Sequence, residues 1–190
     1  MISTADFKKG LAILVEGQPY VIMEYSVQTP SARGAATLVR VKARQVITGQ
    51  VFDLTFKSGD KLKEPDLERR KINFLYATGD EFHFMEEESY EQYHLGRDTL
   101  GDAVRWLSEG TTLRSIVFEG RVVGVELPQF VEMLVTETGP GGRSDMASGK
   151  VTKSATLANG TEIRVPVYLD AGETVVVDTT TGDFVKRVAK

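Results

Sequence analysis

Short β-prone runs separated by frequent turn signals most restrict the fold of this 190-residue chain. Turn residues are grouped at Gly17-Gln18-Pro19, Asn159-Gly160 and Thr181-Gly182-Asp183, among other places. The runs between turns that are richest in Val, Ile and Phe cover residues 51–56, 82–85, 122–127, 163–168 and 174–178. Many short strands at such spacing are typical of an all-β protein made of barrels or sandwiches.

One segment departs from this pattern. Residues 100–107 place Leu100, Ala103, Val104 and Leu107 at helical spacing, which predicts a short amphipathic helix. A second short helix is predicted to begin near Ser89, after an acidic run.

Two breaks suggest three domains. Residues 61–66 are polar and contain Pro65, and residues 126–129 contain Pro128. The breaks predict domains at 1–65, 66–128 and 129–190. Each piece has about 60 residues, near the lower size limit for an independent hydrophobic core, so we expect the pieces to support one another.

Charge is distributed unevenly over these pieces. Residues 1–65 contain 9 basic and 6 acidic side chains, residues 66–128 contain 7 and 13, and residues 129–190 contain 7 and 8. A basic first third on an acidic body fits a protein that meets nucleic acid at one end. Charge alone does not exclude three ordinary solvated surfaces.

Residues 29–38 read TPSARGAATL and connect two predicted strands, at 19–23 and 37–44. We therefore predict a hairpin with Arg33 near its tip. Small neighbours offer no bulk to bury the guanidinium, Pro30 stiffens the approach, and Gly34 permits a positive φ. An isolated loop arginine is usually only solvated, but a guanidinium also suits phosphate and 2′-hydroxyl groups.

The second strand of this hairpin alternates apolar and basic residues. Arg40, Lys42 and Arg44 fall at period two and so share one face. That face is either solvated or a contact for RNA phosphates.

The sequence has few of the residues and motifs that are typical of catalytic or metal sites. The chain has no cysteine, and its only histidines, His83 and His94, lack a metal-ligand spacing. No phosphate-binding loop or nucleophile elbow is found. We expect a binding protein without catalytic residues, metal or cofactor. We also expect neither a membrane span nor a signal peptide.

The C-terminal run 166–187 resembles the signature of bacterial elongation factor P, as does Lys153-Ser154-Ala155-Thr156-Leu157 before it. Similar residues occur at 46–49, 55–57 and 82–85. The resemblance implies an SH3-like (KOW-type) barrel followed by two OB-fold barrels, in an L shape similar to tRNA. It also implies a cytoplasmic monomer that binds the ribosome between the P and E sites and contacts rRNA and the P-site peptidyl-tRNA.

The loop departs from the usual pattern of that family, a lysine or arginine tip between glycines. Its sequence is similar to the branch called elongation factor P-like protein. By position, Arg33 corresponds to the tip residue, with Pro30, Ser31, Ala32, Gly34 and Ala35 forming the functional loop around it. A lysyl-type extension needs a primary amine, so we expect Arg33 to act without one.

The resemblance also points to RNA contacts in the last third. Phe184 stands where the family has tyrosine, so a hydroxyl contact is lost while stacking on RNA is retained. Arg187 follows on the same run.

Two other functions remain open on the residues alone. A general OB-fold RNA-binding protein is one, although no basic-aromatic strand suited to stacking bases is evident and the last two thirds are net acidic. An enzyme acting on sugars or nucleotides is the other, although it lacks an acid/base pair.

Overall fold

The computed structural model describes residues 1–31, 34–140, 143–144 and 151–189. Strands dominate, which confirms the all-β prediction. In chain order they are β1 Ile2–Ser3, β2 Ala12–Val15, β3 Gln18–Gln28, β4 Leu38–Gln45, β5 Val51–Lys57, β6 Lys61–Leu62, β7 Leu67–Thr78, β8 Glu81–Glu86, β9 Gln92–Gly96, β10 Thr112–Phe118, β11 Arg121–Glu126, β12 Phe130–Thr138, β13 Arg143–Ser144, β14 Val151–Leu157, β15 Glu162–Pro166, β16 Thr174–Asp178 and β17 Phe184–Arg187.

The chain divides into two compact units. The first comprises Met1–Arg69 with Ile116–Gly124, and the second comprises Arg70–Ser115 with Val125–Lys190. Among the described residues, no helix is long and apolar enough to cross a membrane.

The N-terminal part of the first unit is a four-stranded antiparallel meander in the order β2-β3-β4-β5, beside a small β1-β6 pair. Alternation along β4 points Val39, Val41 and Ala43 inward, where each is at most 2% exposed. Ile2, Phe7, Ile13 and Ile22 are the other buried residues of this core. Apolar side chains are removed from water only when they lie on this face, so their burial fixes the register of the meander.

Strands β7 to β11 form a five-stranded sheet in the order β11-β10-β7-β8-β9. Side chains on β8 alternate between the two faces of the sheet: Phe82 and Phe84 are buried and His83 is not. Phe74 on β7 packs against both phenylalanines, with ring centroids 6.3 and 5.5 Å away.

The helical segment is shorter and less regular than predicted. An α-helix, α1, covers only Arg97–Leu100, and a 3-10 helix continues over Gly101–Trp106. The α-helix ends because Gly101 takes a φ of 55°, which breaks the hydrogen-bond ladder. A second short 3-10 helix occupies Thr4–Asp6.

The helix predicted from Ser89 is wrong. The chain turns there: the Tyr90 amide donates to the Glu86 carbonyl, and the Ser89 hydroxyl accepts from the Glu91 amide at 3.3 Å. Tyr90 has a φ of 58°, and β9 begins two residues later. Local side-chain bonding by serine commonly favours such turns over a helix.

The remaining strands make a sheet in the order β13-β14-β12-β16-β17, with β15 paired to β14. Its buried residues form one cluster that includes Met133, Val165 and Val175. Trp106, from the 3-10 helix, inserts into this cluster and is 3% exposed.

Candidate nucleic-acid interface

The predicted hairpin is present and is made by β3 and β4. The two strands pair antiparallel from Tyr20 with Gln45 to Gln28 with Leu38, which leaves residues 29–37 as the connection. The Thr37 carbonyl accepts a hydrogen bond from the Ser58 amide at 2.8 Å, which ties the base of the loop to the turn after β5.

The described part of the loop is accessible. Ser31, Ala35 and Ala36 are exposed, and Pro30 is partly buried. Gly34 has a φ of 88°, as predicted, in a region where a side chain would be strained. The predicted tip residues Ala32 and Arg33 lie outside the described residues.

The three cations predicted to share a face of β4 do so. Arg40, Lys42 and Arg44 are all exposed, while the residues between them are buried. Strand pleating therefore separates a cationic outer face from the apolar inner face of the same strand.

The neighbouring strands give each cation a different setting. Arg40 stands opposite Ser26 on β3 and Thr55 on β5, so it lies between two hydroxyl groups. Lys42 stands opposite Glu24 and Asp53, so it lies between two carboxylates. These six residues line a shallow groove of about 540 Å³, together with Tyr25, Val41 and Leu54.

Arg44 has apolar neighbours. It stands opposite Val21 on β3 and Val51 on β5. Of the three cations, Arg40 and Arg44 thus have no acidic residue opposite them in the register. Sequence reasoning treated the three as equivalent because cross-strand register is not visible in one strand.

Two exposed apolar residues near the loop were missed. Tyr25 and Val27 pair with Val41 and Val39, yet they are 48% and 59% exposed. The register of β3 shifts between Ile22 and Glu24, and beyond the shift these two side chains stand opposite core residues of β4 while remaining exposed. The signal in the sequence is the Tyr-Ser-Val alternation just before the loop.

The residues proposed for the last third lie on β17. Phe184 is partly buried and packs against the core cluster of its sheet, so part of its ring is committed to packing. Arg187 is exposed; its Nη1 lies 3.0 Å from Oε1 of Glu173, and its guanidinium carbon lies 5.9 Å from the Tyr168 ring centroid. Tyr168, 62% exposed, was not singled out from the sequence.

The two histidines, treated separately in the sequence, are brought together. His83 on β8 and His94 on β9 are register partners, and their ring centroids are 5.8 Å apart. Within the part of the chain that the structure describes, no group of three or more His, Cys, Asp or Glu side chains is arranged to hold a metal ion.

Comparison with known proteins places this geometry in a family. Residues 3–62 match the family model "Elongation factor P (EF-P) KOW-like domain", residues 67–125 match "Elongation factor P (EF-P) OB domain", and residues 131–187 match "Elongation factor P, C-terminal". The KOW-like and OB assignments implied by the resemblance are therefore confirmed.

Curated relatives agree over nearly the whole chain. The chain is 43% identical to elongation factor P of Pelotomaculum thermopropionicum over 99% of its length and 100% of the relative. It is 42% identical to elongation factor P 1 of Geobacter sulfurreducens over 98% of its length and 100% of the relative.

Among solved structures, eukaryotic translation initiation factor 5A from Methanococcus jannaschii is similar in fold. Its TM-score is 0.51 at 21% identity, over 66% of this chain and 92% of that one. Family models, relatives and fold agree, so the chain belongs to the elongation factor P family and is a translation elongation factor.

Proposed function

We propose that this elongation factor binds the ribosome between the P and E sites and promotes peptide-bond formation at proline-rich stalling sequences. The observation that carries the proposal is the β3–β4 hairpin, whose second strand has an exposed cationic face and whose connecting segment, residues 29–37, contains Arg33 in its sequence. Arg33 would contact the backbone or 2′-hydroxyl groups at the CCA end of the P-site tRNA.

The mechanism is one of positioning. A guanidinium stays protonated at neutral pH and is a poor general base, so Arg33 holds the tRNA end and exchanges no proton. Correct orientation of two reactants alone contributes several kcal/mol to a reaction barrier. The protein is therefore not an enzyme in this proposal and needs no cofactor.

Phosphate contacts would fix the factor in place without reading sequence. Arg40 and Arg44 supply the principal contacts, because Lys42 stands between two carboxylates. Arg187 and the accessible part of the Phe184 ring would add RNA contacts from β17.

The proposal also covers the branch of the family, the domain bounds, the cellular location and the oligomeric state. The loop sequence TPSARGAATL supports membership of the elongation factor P-like branch. We divide the chain into domains at 1–65, 66–128 and 129–190, and the matched segments 3–62, 67–125 and 131–187 support this division. The factor acts as a cytoplasmic monomer.

The proposal is tested by Arg33→Ala in a reconstituted translation assay on a polyproline reporter. We expect the stimulation of peptide-bond formation to be lost while circular dichroism stays native, because the sequence neighbours of Arg33 are small and its replacement is expected to leave the core intact. Arg121→Ala, an exposed arginine just after another turn, serves as the matched control and should keep full activity. Full activity of a folded Arg33→Ala protein would refute the role of Arg33.

A second measurement addresses the broader RNA-binding alternative. We expect the protein to bind 70S ribosomes far more tightly than unstructured RNA, when the two are compared at equal concentrations of RNA phosphate. Equal affinities would favour a general RNA-binding protein.

A further inference from the structure

Three rings form a row across the sheet of the OB domain. Tyr76 on β7 stacks on His83 on β8, with ring centroids 4.4 Å apart and planes inclined by 16°. His94 on β9 continues the row, with its centroid 5.8 Å from that of His83. The strands pair in this register, Tyr76 opposite His83 and His83 opposite His94, so the backbone itself places the rings side by side.

The row lies on the outer face of the sheet. Phe82 and Phe84, the chain neighbours of His83, point the other way and are buried. Tyr76 is 55% exposed, and the side chain of His94 is 59% exposed. The packed core therefore does not account for this aromatic surface.

One carboxylate borders the row. Glu81 lies on β8 two residues before His83, and its oxygens are 3.8 Å from His83 Nε2 and 3.9 Å from His94 Nε2. The adjacent Asp80 is paired with Arg97, Oδ1 to Nε at 2.7 Å. Glu81 thus supplies hydrogen-bond acceptors at the edge of the rings. The charge of the neighbouring Asp80 is neutralised by Arg97.

The position of the row in the domain is informative. Within the matched OB segment 67–125, β8 and β9 are the second and third strands. In OB folds the face of these two strands is a common binding surface for oligonucleotides. Stacking of bases on Tyr and His rings is the principal means by which such surfaces hold single-stranded RNA.

We propose that Tyr76, His83 and His94 form a platform on which an unpaired RNA base stacks through the exposed Tyr76 ring, with Glu81 accepting a hydrogen bond from an exocyclic amino group such as cytosine N4. The platform favours RNA over a basic peptide because His83 and His94 lie on the second and third strands of the OB segment, the face that OB folds commonly use for oligonucleotides. A carboxylate at the ring edge also complements the amino group of a base. The site adds a further RNA contact to those of the proposed function, on which it rests, and does not involve the Arg33 loop.

The test is titration of the full chain with short, fluorescently labelled oligocytidine and oligouridine, followed by anisotropy. We expect the native protein to bind oligocytidine more tightly than oligouridine. Tyr76→Leu should weaken binding of both about fivefold or more, the loss expected for one stacked base, whereas Tyr76→Phe keeps the ring and should bind as the native protein does. Tyr90→Leu, at an exposed tyrosine outside the row, is the matched control and should also bind normally.

Glu81→Leu tests the edge contact separately. It should remove the preference for oligocytidine over oligouridine, whatever it does to the overall affinity. Circular dichroism of each variant shows whether the fold is kept, and the exposure of Tyr76 makes a folded Tyr76→Leu protein the expected result.

Three outcomes would overturn the platform: no RNA binding by the native chain, unchanged affinity of Tyr76→Leu, or binding of an arginine-rich peptide that depends on Tyr76 while RNA does not. The role of Arg33 fails on the translation assay and the platform fails on this titration, so the two failures are distinguishable.

Discussion

At the scale of single residues, the cross-strand neighbours of each cation on the exposed face of β4 determine whether it is available to bind phosphate. Arg40 lies between the hydroxyl-bearing Ser26 and Thr55, while Lys42 lies between Glu24 and Asp53. Cross-strand pairs of opposite charge stabilise a sheet by a few tenths of a kcal/mol to about 1 kcal/mol. Lys42 is therefore suited to holding the register, and Arg40 to contacting a phosphate.

Replacing each cation alone should separate the two roles. Arg40→Ala is expected to reduce the slope of log affinity against log salt by about 1 for ribosome binding, as for the loss of one phosphate contact. Lys42→Ala should change that slope less but lower the stability of the N-terminal domain. Filter binding across a salt series and urea unfolding measure the two quantities. Equal slopes for both variants would show that the acidic partners of Lys42 do not matter.

Much of this face could be predicted from the sequence, but not its internal differences. Period-two alternation was enough to place Arg40, Lys42 and Arg44 together. Their partners depend on the register of three strands and on the shift between Ile22 and Glu24, which no single strand encodes. The row of three rings could not be predicted for the same reason, because Tyr76 and His94 are brought beside His83 only by the pairing of their strands with β8.

At the scale of elements, the segment from Arg97 to Trp106 does more than connect β9 to β10. Trp106 fills part of the core beneath β12, β14 and β16, and the Asn159 amide donates to the carbonyls of Arg105 and Leu107 at 2.8 and 3.0 Å. The Thr161 hydroxyl also donates to the Arg105 carbonyl, at 2.9 Å. A short helix with few bonds of its own is thus held by its neighbours.

Trp106→Ala should accordingly destabilise the chain by about 3–5 kcal/mol, the usual cost of removing a large buried aromatic ring. Arg105→Ala is the control, since its guanidinium only covers the Trp106 ring from outside, 5.0 Å from its centroid, and its loss should cost at most about 1 kcal/mol. Chemical unfolding monitored by far-ultraviolet circular dichroism compares them. Similar losses for both would mean that the cavity left by Trp106 collapses.

Strand β16 ends on a pH-sensitive carboxylate, that of Asp178. Hydrogen bonds from the backbone of Thr180, then from the side chain of Gln129 and the backbone of Thr181, outweigh partial desolvation and lower the pKa of Asp178 below its usual 3.8. A lowered folded-state pKa stabilises the fold above the unfolded-state value, and this stabilisation is lost as pH falls through the folded value.

Asp178→Asn should therefore show a smaller loss of stability between neutral pH and pH below 3.8 than the native chain. The difference in unfolding free energy between the two proteins should be largest at neutral pH and shrink on acidification. Urea titrations at several pH values measure it. A difference that stays constant with pH would mean that the Asp178 charge does not stabilise the turn.

The sequence predicts the strands better than the helical segments, and the reason is physical. Strands with clear alternation, such as β4 and β8, were evident because one of their faces is buried. The helix from Ser89 was predicted wrongly because local hydrogen bonds of a serine turn outweigh a weak helical pattern. The 97–106 segment was only partly anticipated, since contacts from Asn159 and Thr161 hold it and lie far away in sequence.

At the scale of the whole molecule, charge is concentrated where the proposal needs it. The first 65 residues have three more basic than acidic side chains, whereas residues 66–128 have six more acidic ones. Counterion release makes affinity for RNA depend on how many cations contact phosphates and not on net charge alone. The distribution therefore predicts that salt sensitivity arises from one domain.

Two triple variants of equal charge test this prediction. Neutralising Arg40, Lys42 and Arg44 should weaken ribosome binding and flatten its salt dependence, because phosphate contacts are lost. Neutralising three exposed cations elsewhere, Arg114, Arg121 and Lys186, changes the net charge by the same amount and should leave the slope close to native. The dissociation constant is measured for the native chain and both variants over one salt series. Parallel loss in both variants would show that net charge governs the association, and an unchanged slope in the first would show that the outer face of β4 points to solvent on the ribosome.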